Sequence, residues 1–382
     1  MHSVDRFLTT HTGSLPRPDD LIEMVIATQR GDEVDPAALE DRITSAVSES
    51  TRRQVEAGVD IVNDGEVSKP SYATYVTERL SGFSGEPVPL QMRGFEEFPE
   101  FAQRMWGDPE MAAIMANPSC DGPVAYTGRS LAEADIANVR AAAGGATEVF
   151  MSAASPGVIE MFMANRYYAS TEEYLFALAD AMKQEYDAIC QAGLVLQLDC
   201  PDLACEWALG PEQTRAEFRQ VVAQRLEALD HATRDIPPDR LRMHLCWGNY
   251  EGPHHTDVPL ADIIDLVLAA RPTAVSFEAA NPRHEHEWKV FEEVKLPEGK
   301  VVIPGVLDST TNYIEHPELV AQRITRYADV VGRANVIAGS DCGFATFAAF
   351  VPVDPKITWA KLAAMAEGAR LASQELWKTG AA

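Results

Sequence analysis

Strand-like and helix-like stretches alternate along most of this chain, and that alternation restricts the fold to parallel strands joined by helical crossovers. The strand-like runs are FLTTHTGS (7–14), VDIVNDGE (59–66), EVFMSAAS (148–155), LVLQLDC (194–200), LRMHLCW (241–247), AVSFEA (274–279), VVIPGVL (301–307) and NVIAGSD (335–341). Between two of them, in TEEYLFALADAMKQEYDAICQAG, residues Tyr174, Leu175, Leu178, Ala181 and Met182 form a stripe near the helical period. Thr171 with Glu172 and Glu173 suits a helix start there, and Gly193 its end. Eight such strands count out a (β/α)8 TIM barrel, whose chemistry sits on the C-terminal rim. A doubly wound open sheet is the alternative, but the GxGxxG turn it often carries is absent. Residues 81–147 break the alternation: they are Gly/Pro-rich and acidic, then helical, then strand-like at PVAYTG. They read as a long insertion over the barrel mouth, placed as a lid on a single catalytic domain spanning 1–382.

The bulk composition fits a large globular domain, with 46% apolar and 24% charged residues over 382 positions. No run approaches the ~18 apolar residues of a membrane span. The N-terminus lacks the basic and apolar regions of a signal peptide. The six cysteines show no paired spacing, which points to free thiols or metal ligands in a reducing cytoplasm. A net charge of −26 argues against nucleic acid and anionic membrane surfaces, and disfavours a polyanionic substrate.

Residues able to bind zinc stand at the ends of three strand-like runs: His244 and Cys246 in RMHLCWGN, Glu278 in SFEAANPR and Cys342 in GSDCGF. His244 and Cys246 are two apart, so a regular strand turns both to one side. If the strands are parallel neighbours, all four residues converge on one rim, where a Cys/Cys/His/Glu set can build a tetrahedral zinc site. The competing reading makes Cys246 and Cys342 buried core thiols. Glu66, closing VNDGE, can bind an ammonium group or pair with Lys69. Asp199 follows the apolar LVLQL and offers a second carboxylate or a helix cap. Ser14 and Thr12 beside Gly13 offer donors to a carboxylate, or simple turn chemistry. His254 and His255 read as a solvated loop pair, and His284 and His286 as surface residues or supports behind the ligands. Trp247, Tyr250, Tyr72 and Tyr75 read as packing residues that could also wall a pocket.

Taken together, HTGSLPRP, VNDGE, LQLDCPDL, MHLCWGN, SFEAANPR, PGVLD and GSDCGF, in that order over residues 9–343, resemble the catalytic C-terminal half of the cobalamin-independent methionine synthase family. The resemblance implies that His244, Cys246, Glu278 and Cys342 hold a catalytic zinc. It also implies that Ser14, Glu66 and Asp199 hold the amino-acid part of homocysteine. Zinc would keep the substrate thiol deprotonated at neutral pH. Glu278, the harder and weaker ligand, is expected to yield its place to that thiol. Asp308 is expected to position groups near the reacting carbon, or to cap the next helix.

Two departures from the family pattern shape the expected reaction. Synthases with two barrel halves use the second to help bind the folate polyglutamate tail, and this chain has one. They also carry a His after PGV-x-D, where Thr310 stands here; His316, further on, is expected to open the next helix with Pro317. Without that imidazole, an obvious proton donor for a folate leaving group is missing. Short single-barrel relatives include methionine synthases thought to use a corrinoid donor or its carrier protein. They also include 2-hydroxypropyl-coenzyme M lyases, or epoxyalkane:coenzyme M transferases, and the CWGN run is similar to these. In both, a zinc-bound thiolate attacks an electrophilic carbon. Glu66 and Asp199 would repel the sulfonate of coenzyme M unless Arg17, Lys69 or Arg283 offset them, and they suit homocysteine better. The expectation is a cytoplasmic, methionine synthase-like methyltransferase acting on a small thiol. Its alternatives are thiol addition to an epoxide, a non-catalytic zinc-binding barrel, and a metal-free barrel of the uroporphyrinogen decarboxylase type. The scarcity of Arg near the strand ends weighs against the last.

Overall fold

The computed structural model describes residues 2–88, 93–107 and 117–378. Its strands are β1 Ile61–Val62, β2 Phe83–Gly85, β3 Ser119–Cys120, β4 Glu148–Ala154, β5 Val195–Asp199, β6 Leu241–Leu245, β7 Ala274–Phe277, β8 Val301–Leu307 and β9 Gly339–Ser340. Seven of them form one curled parallel sheet in the order β1-β4-β5-β6-β7-β8-β9, and β2 and β3 pair antiparallel apart from it. Strands that follow one another within this sheet are also spatial neighbours, each pair parallel. The first strand-like run, 7–14, makes a single parallel bridge, at Thr9. Its backbone nevertheless touches both sheet edges. Ala338 bonds to Leu8 and Thr10 on one side, while Asp60 and Ile61 bond to Thr9 on the other. The side chains of this run bond across to neighbouring segments, Thr9 Oγ1 to Gly58 O, Thr10 Oγ1 to Ile61 O and Thr12 Oγ1 to Ser340 O, while only Thr9 enters a bridge.

The two faces of each strand have different neighbours. Leu196, Leu198, Met243, Leu245, Val275, Phe277 and Val302 belong to the main core between sheet and helices. The alternate residues Ile61, Phe150, Val195, Ala274, Val301, Ile303 and Ile337 form a separate small cluster on the inner face. Each such side chain contributes roughly 1.5–3 kcal/mol by leaving water. Period-two alternation then fixes which residues face inward toward the C-terminal ends. Gln197 and Asp199, Arg242 and His244, and Ser276 share the parity of the inner cluster. The register confirms it, pairing Asp199 with His244 and His244 with Ser276.

Local signals set the helix limits. Ser170 caps Thr171–Gln191 by accepting from Glu173 N, and Gly193 follows in a left-handed conformation. Thr214 and Glu217 make a reciprocal capping box for Arg215–Ala232. His316 caps Pro317–Val331, as its place before proline predicts. Part of the expected insertion 81–147 lies outside the described residues, at 89–92 and 108–116. Within the rest, the helix Arg129–Ala142 packs on the helix Pro36–Glu56 and leads into β4, so it is the crossover of that unit. Residues 129–142 thus belong to a crossover of the sheet, because an amphipathic helix reads alike on a lid or a crossover. Among the described residues no helix is long and apolar enough to cross a membrane.

Candidate metal and thiol site

His244, Cys246 and Cys342 meet at the C-terminal ends of β6 and β9, all buried, with their ligand atoms within 4.8 Å of one another. The two sulfurs are 3.7 Å apart. Gly248 N–H donates to the Cys246 sulfur at 3.3 Å, and Ser309 Oγ accepts from Cys342 N. Burial, with Arg242 close by on the same strand, lowers the His244 pKa to about 3, so its imidazole is neutral. Nδ1 lies 3.3 Å from Ser276 Oγ, and in the tautomer in which Nδ1–H donates there, Nε2 carries the lone pair. That buried Nε2 has no protein partner. A hydrogen bond with Cys342, then burial, pushes the Cys246 thiol well up. For Cys342 the same hydrogen bond pulls down, and burial together with the Glu278 carboxylate outweighs it. One neutral nitrogen without a partner and two thiols that resist ionising together are the donor set of a soft or borderline divalent ion.

Glu278 follows β7 and is buried beside this trio, but its carboxylate is not among the atoms that converge within that span. One oxygen accepts from Trp247 N at 2.7 Å and the other from Asn281 Nδ2 at 2.7 Å. Three of the four expected ligands are thus assembled, and the fourth rests on a separate pair of donors.

The second group of expected residues lies on neighbouring elements. Gly13, at φ 150°, lets the backbone approach so closely that a Cβ there would sit 2.0 Å from Glu66 Oε1. Glu66 itself has φ 53°, held by Asp64 Oδ1 accepting its N–H, and its Oε2 is buried without a partner. Asp199 accepts from Gln197 Nε2 at 2.8 Å. Burial, then the charge of Glu66, raises the Asp199 pKa well above the carboxylate range, and burial raises Asp64 to about 6. Lys69 does not pair with Glu66. Its ammonium donates to the Ser152 carbonyl at 2.6 Å and lies over the Tyr75 ring. Arg17 is likewise spent on the carbonyls of Ala345, Glu66 and Lys69. The result is a buried cluster of acidic and basic groups in which one Glu66 oxygen has no partner. Ser14 joins the two halves of the site. Leu15 N bonds to Gly65 O, Phe344 N bonds to Ser14 O, and the Ser14 hydroxyl packs against Gly343.

Other expectations are placed less centrally. Asp308 is spent within its own turn, accepting from Thr310 N, Thr310 Oγ1 and Thr311 Oγ1, so it orders that loop and caps no helix. His286 and His255 are exposed. His284 is buried at 2% exposure between Asp257 and Glu287, because carboxylates on two turns enclose it. Sequence reasoning missed Asn281, Asn249 and Gln197. Asn249 joins Gly343 O to Ser309, behind Cys342. All three stand inside runs already singled out, Gln197 in LQLDCPDL, Asn249 in MHLCWGN and Asn281 in SFEAANPR, and that place was the signal.

Residues 7–370 match the family described as cobalamin-independent synthase, catalytic domain. A methionine synthase of Saccharolobus solfataricus is 26% identical over 97% of this chain and 96% of its own length. One from Sulfolobus acidocaldarius is 25% identical over 97% of this chain and 94% of its own length. Among solved structures, a B12-independent methionine synthase from Shewanella sp., in complex with selenomethionine, superposes with a TM-score of 0.74. That pair shares 19% identity and covers 98% of this chain and 99% of the other, which is a likeness of fold.

Proposed function

We propose, because this chain belongs to the cobalamin-independent synthase catalytic-domain family, that its inner-face site activates a small thiol for methyl transfer, with homocysteine as that thiol. The observation that carries this reading is the buried trio of His244, Cys246 and Cys342, with the His244 Nε2 lone pair left without a partner. Zinc suits one nitrogen and two sulfurs with a fourth position open. Zinc held there would keep a bound thiol ionised at neutral pH. In this reading Cys246, Cys342 and His244 supply the permanent donors and Ser276 fixes the imidazole. Glu278 is the exchangeable fourth donor, to be replaced by the substrate sulfur. Glu66 and Asp199 take the ammonium end of an amino-acid thiol, and Ser14 its carboxylate. Asp308 shapes the loop that faces the reacting carbon. The segment Leu8–Thr10, bonded to both sheet edges, acts as an eighth stave and closes the sheet as a (β/α)8 TIM barrel.

The choice of thiol rests on charge. Glu66 and Asp199 offer acceptors to an ammonium group, which coenzyme M lacks, and its sulfonate would face their oxygens instead. Addition of coenzyme M to an epoxide is therefore the weaker reading. A corrinoid donor or carrier finds no support in a cobalamin-independent family. The test is zinc content with X-ray absorption at the zinc edge, first without thiol, then with homocysteine, then with coenzyme M. One added sulfur replacing an oxygen on homocysteine alone is expected. Zinc unchanged by either thiol would favour a non-catalytic zinc barrel, and a protein purified without zinc that takes none up would end the reading. Replacing Glu278 by Cys should keep the metal and lower turnover.

A further inference from the structure

Side chains on the inner face of the curled sheet stack in layers. Asp199, His244 and Ser276 stand level on β5, β6 and β7, and one layer below them Ser152, Gln197 and Arg242 stand level on β4, β5 and β6. Gln197 is fully buried in the lower layer. Its Nε2 donates to Asp199 Oδ1 at 2.8 Å and to Thr12 O, with Ser152 Oγ a third contact at 3.3 Å. Thr12 belongs to the first run, whose backbone bonds to Asp60, Ile61 and Ala338 at the two sheet edges, whereas β5 lies inside the sheet. The amide therefore crosses the space that the sheet encloses. Beyond Thr12 the same run continues into Gly13, packed on Glu66, and Ser14, packed on Gly343. The two hydrogens of one NH2 group thus tie the Asp199 wall to the wall that carries Ser14 and Glu66. The amide oxygen, Oε1, is buried without a partner among the described residues. An unpaired buried acceptor is unfavourable, so packing alone does not account for a glutamine here, and the two N–H bonds do.

We propose that Gln197 is a positioning residue: as a brace from Thr12 O to Asp199 Oδ1 it sets the gap between Asp199 and the Ser14–Glu66 wall, and with it the preference for a thiol that carries an ammonium group. This rests on the reading above in which Glu66 and Asp199 take the ammonium end of the substrate. The brace occupies one oxygen of Asp199 and so fixes where the other one stands. Without it the carboxylate turns freely, and an ammonium held between the two walls loses one anchored acceptor. The loss is that of one charge-assisted hydrogen bond, about a ten- to hundredfold weakening of binding. A thiol without the ammonium group makes no use of the gap and loses nothing.

The experiment titrates the full, zinc-loaded chain by calorimetry with homocysteine and with mercaptobutyrate, the same thiol acid without its amino group. Gln197→Met keeps the length and volume of the side chain and removes the donor. The wild type should bind homocysteine the more tightly. In Gln197→Met the Kd for homocysteine should rise about ten- to hundredfold while that for mercaptobutyrate stays unchanged. The KM for homocysteine should rise with little change in kcat. In an Asp199→Asn background the same substitution should cost no further affinity, because the brace acts through Asp199. If Gln197→Met does not fold, Gln197→Asn carries the same test, since its amide is one methylene too short to span both acceptors. Equal losses for the two thiols would mean a general packing role and overturn the inference, as would a preference left intact in the variant. A wild type that binds both thiols equally would overturn the ammonium-binding reading and this inference with it.

Discussion

The buried His284 should make the protein's stability fall with pH across the alkaline range, by an amount that its surroundings set. Its ring nitrogens lie 2.8 Å from Glu287 Oε2 and 3.1 Å from Asp257 Oδ2, and Trp247 covers it with ring centroids 4.3 Å apart. Burial alone would lower its pKa; the hydrogen bonds to Asp257 and Glu287, with the charge of Glu278, raise it from 6.5 to about 10. At about 1.4 kcal/mol for each pH unit, that is about 5 kcal/mol of stability. A raised imidazole contributes fully below 6.5, where both folded and unfolded states are protonated. Its contribution falls as pH rises through the folded value. About 2 kcal/mol should be lost between pH 6 and pH 8, and nearly all of the rest by pH 10. His284→Gln keeps a donor for the carboxylates and removes the titration. Urea unfolding of both proteins at pH 6, 8 and 10 should show a gap of several kcal/mol at pH 6 that closes toward pH 10. Parallel curves, with a gap independent of pH, would refute the reasoning, since the imidazole would then be neutral in the folded state or equally basic in the unfolded one.

Three further outcomes rest on particular contacts. Gly305→Ala would place a Cβ 2.0 Å from Asp341 Oδ1 and 2.7 Å from its backbone N; it should cost about 2–3 kcal/mol in urea unfolding, because backbone must move. Glu66→Gln removes a charge whose Oε2 has no protein partner. It should raise the KM for homocysteine about tenfold or more and leave that for a thiol without an ammonium group nearly unchanged. Cys342→Ser removes one of the two sulfurs 3.7 Å apart and should release the metal on dialysis, read as metal per chain by plasma emission spectroscopy.

Much of the site was legible because alternation carries information at short range. His244 and Cys246 face the same way by period two, and the inner cluster of Ile61, Phe150, Val195 and Ala274 shows that the rule held along the sheet. Strands were less legible at their ends. VDIVNDGE shrinks to Ile61–Val62 because Asn63 Oδ1 and Asp64 Oδ1 bind the N–H groups of Gly65 and Glu66, which turns the chain out of the sheet. Asp308 looked available in PGVLD, and only its own turn reveals that Thr310 and Thr311 consume it.

The sequence by itself determined which residue types could do chemistry and on which face of which strand they would lie. Those properties depend on side-chain identity and on a repeat of two or 3.6 residues, both present in any short window. Tertiary structure alone decided who stands next to whom. It set Cys342 against Cys246 across 96 positions of chain, turned Lys69 to a carbonyl instead of Glu66, and enclosed His284 between two carboxylates. It also gave Glu278 its own donors, Trp247 N–H and Asn281 Nδ2, apart from the His244–Cys246–Cys342 trio. Hydrogen bonds and charges act over a few ångströms, so their outcome is set by the packing of distant segments, which no local pattern encodes.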